Sequence, residues 1–302
     1  MPSFRAAPVR VRVPATSANL GPAFDCAGLA LALYDDVVVR VADTGVHVDV
    51  AGEGADTLPR DKRHLVVKAL RATFDALGGQ PSGIEVVCAN RIPQSRGLGS
   101  SSAAIVAAVL AARALVLGGE QTLDDDAALD LATRLEGHPD NVAACLRGGF
   151  TLAWTDADGV HVHRADVHPD VAPVAFVPAT RASTRKVRGL LPATVTHTDA
   201  AANSARTALL ALAMTTSPAL LLAATEDRLH QSYRASAMPR SAALVAALRA
   251  DGVPAFVSGA GPTVLALATR GRAPVVAARA ARGWAVLELA VESAGASIMA
   301  VR

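Results

Sequence analysis

At 302 residues the chain is about twice the usual domain length, so two domains or one large one are expected, with a core that needs no disulfide staple. The 29 Lys plus Arg against 27 Asp plus Glu leave a formal net charge of +2 with no dense basic block, which argues against nucleic acid as a main partner. Three cysteines, Cys26, Cys88 and Cys145, form an odd set without C-x-x-C spacing, which argues against a disulfide framework or a thiolate metal site and fits a reducing cytoplasm.

The opening MPSFRAAPVRVRV has no apolar signal core, and its VRVRV portion, 9–13, alternates at period two up to Pro14, predicting a half-solvated strand. ATSANLGPAFDCAG, 15–28, is long, polar and glycine-containing, the kind of connection a compact domain keeps for function. Residues 37–41 and 46–50 predict a hairpin around Asp43 to Gly45, 64–77 a helix stopped by Gly78 and Gly79, and 84–89 a strand. Helices follow at 101–117 and at 124–136, where the leading aspartates suit the helix dipole, and a shorter one starts at Asp140. FTLAW and VHVHR, joined through DADG, predict a hairpin.

The second half starts with strand-like VAPVAFV and a polar basic loop, RASTRKVRGLLP. Helices are expected near 199–214, 219–231, 241–250 and 274–282, with a strand and glycine turn in VPAFVSGAGPTVLALA, and final strands WAVLELAV and SIMAV. Arginine or glycine interrupts the apolar helices before the roughly 20 residues that span a bilayer, so no membrane partner is expected. The order of elements predicts an α+β chain divided into 1–160 and 161–302.

Chemistry concentrates in RGLGSSSAA, 96–104, two glycines and three hydroxyls ahead of an apolar helix. Glycines let the main chain curl around an anion, and the first helical turn offers unpaired amides, a geometry matched to phosphate; a serine capping a core helix accounts for the same residues. No lysine sits beside these serines, so this is not a Walker loop, and neither GxGxxG nor GxSxG spacing is present.

PQSRGLGSSSA from Pro93 resembles the phosphate loop of the small-molecule kinases of the galactokinase, homoserine kinase, mevalonate kinase and phosphomevalonate kinase superfamily, with a serine in place of that pattern's usual first alanine; SGAGPT, 258–263, resembles its late glycine turn. Within that group the likeness lies with the homoserine kinases, carried by PATSANLGPAFDCAG at 14–28, LEGHPDNVAACLRGG at 135–149, STRKVRGLLP at 183–192 and TEDRLHQSYR at 225–234. The resemblance implies a two-domain kinase fold, an amino-terminal α/β domain of ribosomal-protein type plus a ferredoxin-like carboxyl-terminal domain. It also implies transfer of the γ-phosphoryl of ATP to the side-chain hydroxyl of L-homoserine in threonine biosynthesis, with Mg²⁺, in an enzyme commonly dimeric.

The same resemblance assigns Pro93, Gln94, Ser95, Arg96, Gly97, Leu98, Gly99, Ser100, Ser101 and Ser102 to the nucleotide phosphates. It places Glu136 on Mg²⁺ with Ser100 or Ser101, the choice between them left open by spacing. Asn19, Asp25, His138, Asp140, Arg188 and Arg234 fall on the acceptor side, where carboxylates suit an ammonium and arginine forks suit a carboxylate. No side chain is assigned as a general base. Asp140 also suits a helix start, His138 a turn, and Arg188 a solvated surface. A kinase acting on another small alcohol, or a nucleotide-binding module without turnover, shares the phosphate loop and differs in the acceptor residues.

Overall fold

The computed structural model describes residues 2–279 and 282–300. Its first sheet has seven strands: β1 (Val9–Ala18), β2 (Ala27–Ala42), β3 (Gly45–Gly52), β4 (Gly83–Asn90), β5 (Phe150–Asp156), β6 (Gly159–Ala165) and a late strand numbered below. In β1 the valines at 9, 11 and 13 are buried, while Arg10 and Arg12 turn outward onto Asp36, the partner of Arg12 across the β1–β2 ladder. The strand continues through Pro14 to Ala18, with the register shifting between Pro14 and Ala15. Proline lacks an amide for the ladder, and an irregularity is where a strand tolerates it.

The hairpin expected around Asp43 to Gly45 is not formed. β4 inserts between β2 and β3, antiparallel to β2 and parallel to β3, and helix Leu65–Ala76 provides the crossover. A turn signal between two alternating segments fixes a change of direction but not strand adjacency, and the apolar positions of GIEVVCAN take the central place. The hairpin of β5 and β6 forms as expected, pairing Asp156 with Gly159. Helix Ser100–Leu115 is apolar nearly all round and runs through the core, its alanines allowing close approach to helix Leu65–Ala76 and to β1.

The second sheet contains β7 (Val171–Pro178), β8 (Ala255–Val257), β9 (Val264–Thr269) and β10 (Trp284–Glu288) in the order β10-β7-β9-β8, all antiparallel, which is the ferredoxin-like order. Helices His197–Thr215 and Pro239–Ala250 lie between β7 and β8 in the chain. Here the expected middle helix breaks into a 3₁₀ turn, the short helix Leu221–Ala224 and the short helix Gln231–Arg234. The segment read as a basic loop holds one five-residue helix, Thr184–Arg188, seated by buried Val187. A helix near 274–282 shortens to Ala273–Ala277 among the described residues.

The division placed at residue 160 falls inside β6, and the change of sheet comes between β6 and β7. β11 (Ser297–Met299) returns to the first sheet and pairs with β1. Both sheets therefore hold the chain's second half in place. No helix of the described residues is long and apolar enough to cross a membrane.

Candidate active site

The loop before helix Ser100–Leu115 is shaped by Ser95, Gly97 and Gly99, all at positive φ, with 76° at Gly97 and 70° at Gly99. Gly99 itself is the N-cap, and no side chain caps the helix, so its serines are left for other work. Both glycines are also close approaches. A Cβ at Gly97 would lie 2.3 Å from the Ser258 carbonyl oxygen, and one at Gly99 would lie 1.9 Å from Thr16 Oγ1. The first element and the late glycine turn thus clamp the loop from opposite sides. Thr16 N donates to Leu98 O and Thr263 N to Arg96 O, Ser258 Oγ sits 2.5 Å from Gly97 O, and Gly259 N donates to Ala18 O.

Glu136 ends helix Asp125–Glu136, with Gly137 at φ 97° turning the chain away. Its Oε1 accepts from Ser101 Oγ at 2.5 Å and from Ser102 Oγ at 2.8 Å. Ser100 makes no such bond among the described contacts and lines both neighbouring cavities. One carboxylate beside hydroxyl oxygens is a hard-donor set, and no group of three or more His, Cys, Asp or Glu among the described residues makes a protein-only cage. Such a set fits a divalent cation that takes its remaining ligands from phosphate.

The six residues assigned to the acceptor all line one cavity of about 210 Å³ with Glu136 and the loop glycines. Asn19 and Asp25 adopt positive φ in the turn after β1, where Asn19 Oδ1 accepts from Asp25 N and Asn19 Nδ2 donates to Gly259 O. Asp25 receives both Nη groups of Arg188 at 2.7 Å, a bidentate pair joining the two halves of the molecule. That hydrogen bond and charge raise the Arg188 pKa above its ordinary value. Asp140, 1% exposed, holds His138 Nδ1 at 2.5 Å and accepts from Asn141 N. Burial opposes protonation of His138, but the bond and charge of Asp140 outweigh it and raise its pKa. Arg234 is 2% exposed; burial first, then the charge of Arg188, pulls its pKa below the usual guanidinium value.

A second cavity, about 790 Å³, opens on the other side of the loop. Val13, Val37, Leu58, Leu65 and Val66 give it an apolar lining, and Arg181, Arg185 and Lys186 add cationic groups. Ser95, Ser100, Ser101, Ala182 and Thr184 line both cavities, so the two meet at the helix N-terminus.

Within the loop, the residues expected at phosphate divide by exposure and contact. Gln94, Ser95, Ser100 and Ser101 line the larger cavity, and Gly97 and Gly99 the smaller. Leu98 and Ser102 are fully buried, Leu98 in the core and Ser102 beneath Glu136. Pro93 lines neither cavity. Arg96 also lines neither: it donates to the carbonyls of Pro178, Ala179 and Gln94, tying the loop to the end of β7. Sequence reasoning passed over Phe24, His64, Asp35, Thr16 and Ser258. Phe24, Thr16 and Ser258 carry no chemical signature in sequence, and only the turn after β1 and the loop clamp bring them to the site; Asp35 reaches the larger cavity from β2 and His64 from the start of helix Leu65–Ala76, with no spacing rule to single them out.

Residues 64–149 match the family described as GHMP kinases N terminal domain, and residues 204–286 match GHMP kinases C terminal. A homoserine kinase of Streptomyces coelicolor is 62% identical over 298 residues, covering 99% of this chain and 96% of its own. One of Clavibacter michiganensis is 51% identical over 299 residues, covering 97% and 94%. Among solved structures, homoserine kinase of Cytophaga hutchinsonii superposes with a TM-score of 0.83 at 25% identity, covering 99% of both chains. In fold alone, L. major mevalonate kinase in complex with R-mevalonate gives a TM-score of 0.70 at 16% identity, covering 98% of this chain and all of its own. With two matched domains and identity extending over nearly the whole length, the chain belongs to the homoserine kinases of the GHMP kinase family.

Proposed function

We propose that this chain transfers the γ-phosphoryl of ATP to the side-chain hydroxyl of L-homoserine, with the nucleotide in the larger cavity and the amino acid in the smaller. The observation that carries this reading is the meeting of two unlike cavities at one helix N-terminus. The larger has an apolar wall suited to a base and cations near the shared edge. The smaller, at about 210 Å³, has room for a short amino acid and both signs of charge.

A zwitterion matches the Asp25–Arg188 pair in kind: its ammonium replaces the guanidinium at Asp25, and its carboxylate replaces Asp25 at Arg188. Exchanging one charge-assisted pair for two leaves neither Asp25 nor Arg188 unpartnered. Arg234, over the same Phe24 ring as Arg188, adds a second fork for the carboxylate. Asp140 adds anionic charge on the ammonium side and is itself held by His138 and Asn141 N.

Phosphoryl transfer asks the protein for positioning and charge neutralisation. The amides from Gly97 to Ser102 face developing charge without reorganising, since the glycines are locked by Thr16 and Ser258. Glu136 and Ser101 would hold Mg²⁺ in this reading, with Ser100 beside them at the cavity edge and buried Ser102 supporting the carboxylate, and the ion when bound neutralises charge on the phosphate oxygens. Asp25 is paired with Arg188 and Asp140 with His138, so neither is assigned as a base. A homodimer and a cytoplasmic setting belong to the same reading; three unpaired cysteines, all with pKa raised by burial, support the latter.

The test is product identification by phosphorus NMR after incubation with MgATP, L-homoserine and competing alcohols, with light scattering for subunit number. O-Phosphohomoserine as the dominant product supports the assignment. Phosphorylation of mevalonate in preference to homoserine overturns the acceptor, and nucleotide binding without product overturns the enzyme.

A further inference from the structure

The segment carrying Arg234 has no long helix to fix it, and Ser232 and Tyr233 are exposed, yet it buries His230 and Arg234 almost completely. Asp227, its side chain fully buried, accepts from the amides of Leu229, His230 and Gln231 and so winds the turn that leads into helix Gln231–Arg234. That turn delivers His230, which is also fully buried. The imidazole has two hydrogen-bond partners, Gly21 O 2.8 Å from Nε2 and Arg234 Nη1 3.3 Å from Nδ1, with Asp227 Oδ1 3.7 Å from Nε2.

These partners fix the tautomer. A guanidinium has only donors, so Nδ1 must present a lone pair, and the carbonyl of Gly21 then requires the proton on Nε2. Burial lowers the His230 pKa, in keeping with a neutral ring. Phe24 packs its face against this ring at 5.2 Å and under the guanidinium at 5.1 Å, so ring, arginine and phenyl hold one another. The bond to His230 is the one side-chain hydrogen bond of Arg234 among the described contacts, and its buried Nε has no partner. An arginine so buried normally satisfies its donors, and Arg234, which lines the smaller cavity, is left with donor capacity unused.

We propose that His230 is a positioning residue: its neutral ring, donating to Gly21 and accepting from Arg234, aims the guanidinium fork at the carboxylate of the amino-acid substrate. This rests on the acceptor pocket described under the proposed function. Gly21 belongs to the same turn as Asn19 and Asp25, so a single imidazole couples the geometry of the turn that holds Asp25 to that of Arg234. The substrate's two charged ends are in this way registered to each other.

Leucine and asparagine have nearly the same shape, and both lose the imidazole's packing on Phe24, but only asparagine keeps an oxygen near the position of Nδ1. Steady-state kinetics on His230→Leu and His230→Asn therefore separate acceptor loss from ring loss. His230→Leu is expected to raise the homoserine KM by about ten- to a hundredfold, as loss of a hydrogen bond to a charged group implies. Its ATP KM is expected to stay within about twofold, and His230→Asn to recover most of the lost homoserine affinity. Equal KM increases in the two variants, or none in His230→Leu, overturn the positioning role. Arg234→Gln distinguishes the levels: unchanged homoserine KM there overturns the underlying pocket reading, whereas a raised KM beside an unaffected His230→Leu overturns only the part played by His230.

Discussion

Gly99→Ala tests the loop at the point where backbone and packing demands coincide. A residue with a Cβ at φ 70° carries about 1–2 kcal/mol of left-handed strain. The new methyl would also lie 1.9 Å from Thr16 Oγ1, which must move and surrender its 2.7 Å buried bond to Asn141 Oδ1, about 0.5–1.5 kcal/mol more. The expected loss of stability is about 1.5–3.5 kcal/mol, with a raised ATP KM because the displaced loop carries the phosphate amides. Thr16→Ala removes the obstructing oxygen and leaves the Thr16 Cβ and Asn141 Oδ1 each 3.2 Å from the added methyl, tight contacts that a shift of a few tenths of an ångström relieves. The double variant should therefore be more stable than the two single losses added together, by about 1–2 kcal/mol of coupling. Denaturant unfolding without nucleotide and steady-state kinetics provide the four corners of the cycle. Additive losses, or a Gly99→Ala protein equal to wild type in both measurements, refute the claim that Thr16 clamps this loop.

Glu136→Gln keeps hydrogen bonding to Ser101 and Ser102 but removes charge, so turnover should fall by about a hundredfold or more with a higher Mg²⁺ requirement; an unaltered metal titration contradicts the assignment. Arg188→Gln frees Asp25 and should raise the homoserine KM by about ten- to a hundredfold while sparing ATP, as comparison of the two KM values will show. Asp35 accepts from the amides of Arg91 and Ile92, but burial pushes its pKa up to about 6. The folded state thus binds its proton more tightly than the unfolded one, and this residue's contribution to stability falls as pH rises from about 4 to 6, by about 3 kcal/mol in all. Asp35→Asn retains an oxygen for both amides and should be more stable than wild type at pH 8 and similar near pH 4; pH-independent differences in unfolding contradict this sign.

Local punctuation made much of this fold legible. The Asp124 cap, the Gly78 and Gly79 stop and the DADG turn each act over a few residues, and the corresponding helix ends and hairpin lie where those signals place them. Strand adjacency is different in kind: nothing in residues 37–50 tells that β4 will enter between β2 and β3, because that choice is made by packing across more than thirty residues of sequence. The same distinction applies at the site. Gly97 and Gly99 are visible as part of a glycine–hydroxyl run, whereas Glu136, by itself an ordinary helix-end glutamate, stands out only through the resemblance. The serine partners of Glu136 are set by helix phase and packing, which bring Ser101 and Ser102 rather than Ser100 to the carboxylate. His230 was hidden for a further reason, since a histidine that positions an arginine has no spacing rule and becomes meaningful only through its contacts with Gly21 and Phe24.

A crystal structure with a non-hydrolysable ATP analogue, Mg²⁺ and L-homoserine tests the two-cavity arrangement most directly. The terminal phosphorus should sit at the edge shared by both cavities, beside Ser100, Ser101 and Glu136, with the homoserine hydroxyl facing it and the amino-acid carboxylate on Arg188 and Arg234. A triphosphate bound away from Gly97–Ser101, or an amino acid seated outside the pocket of Asp25 and Arg234, would contradict it.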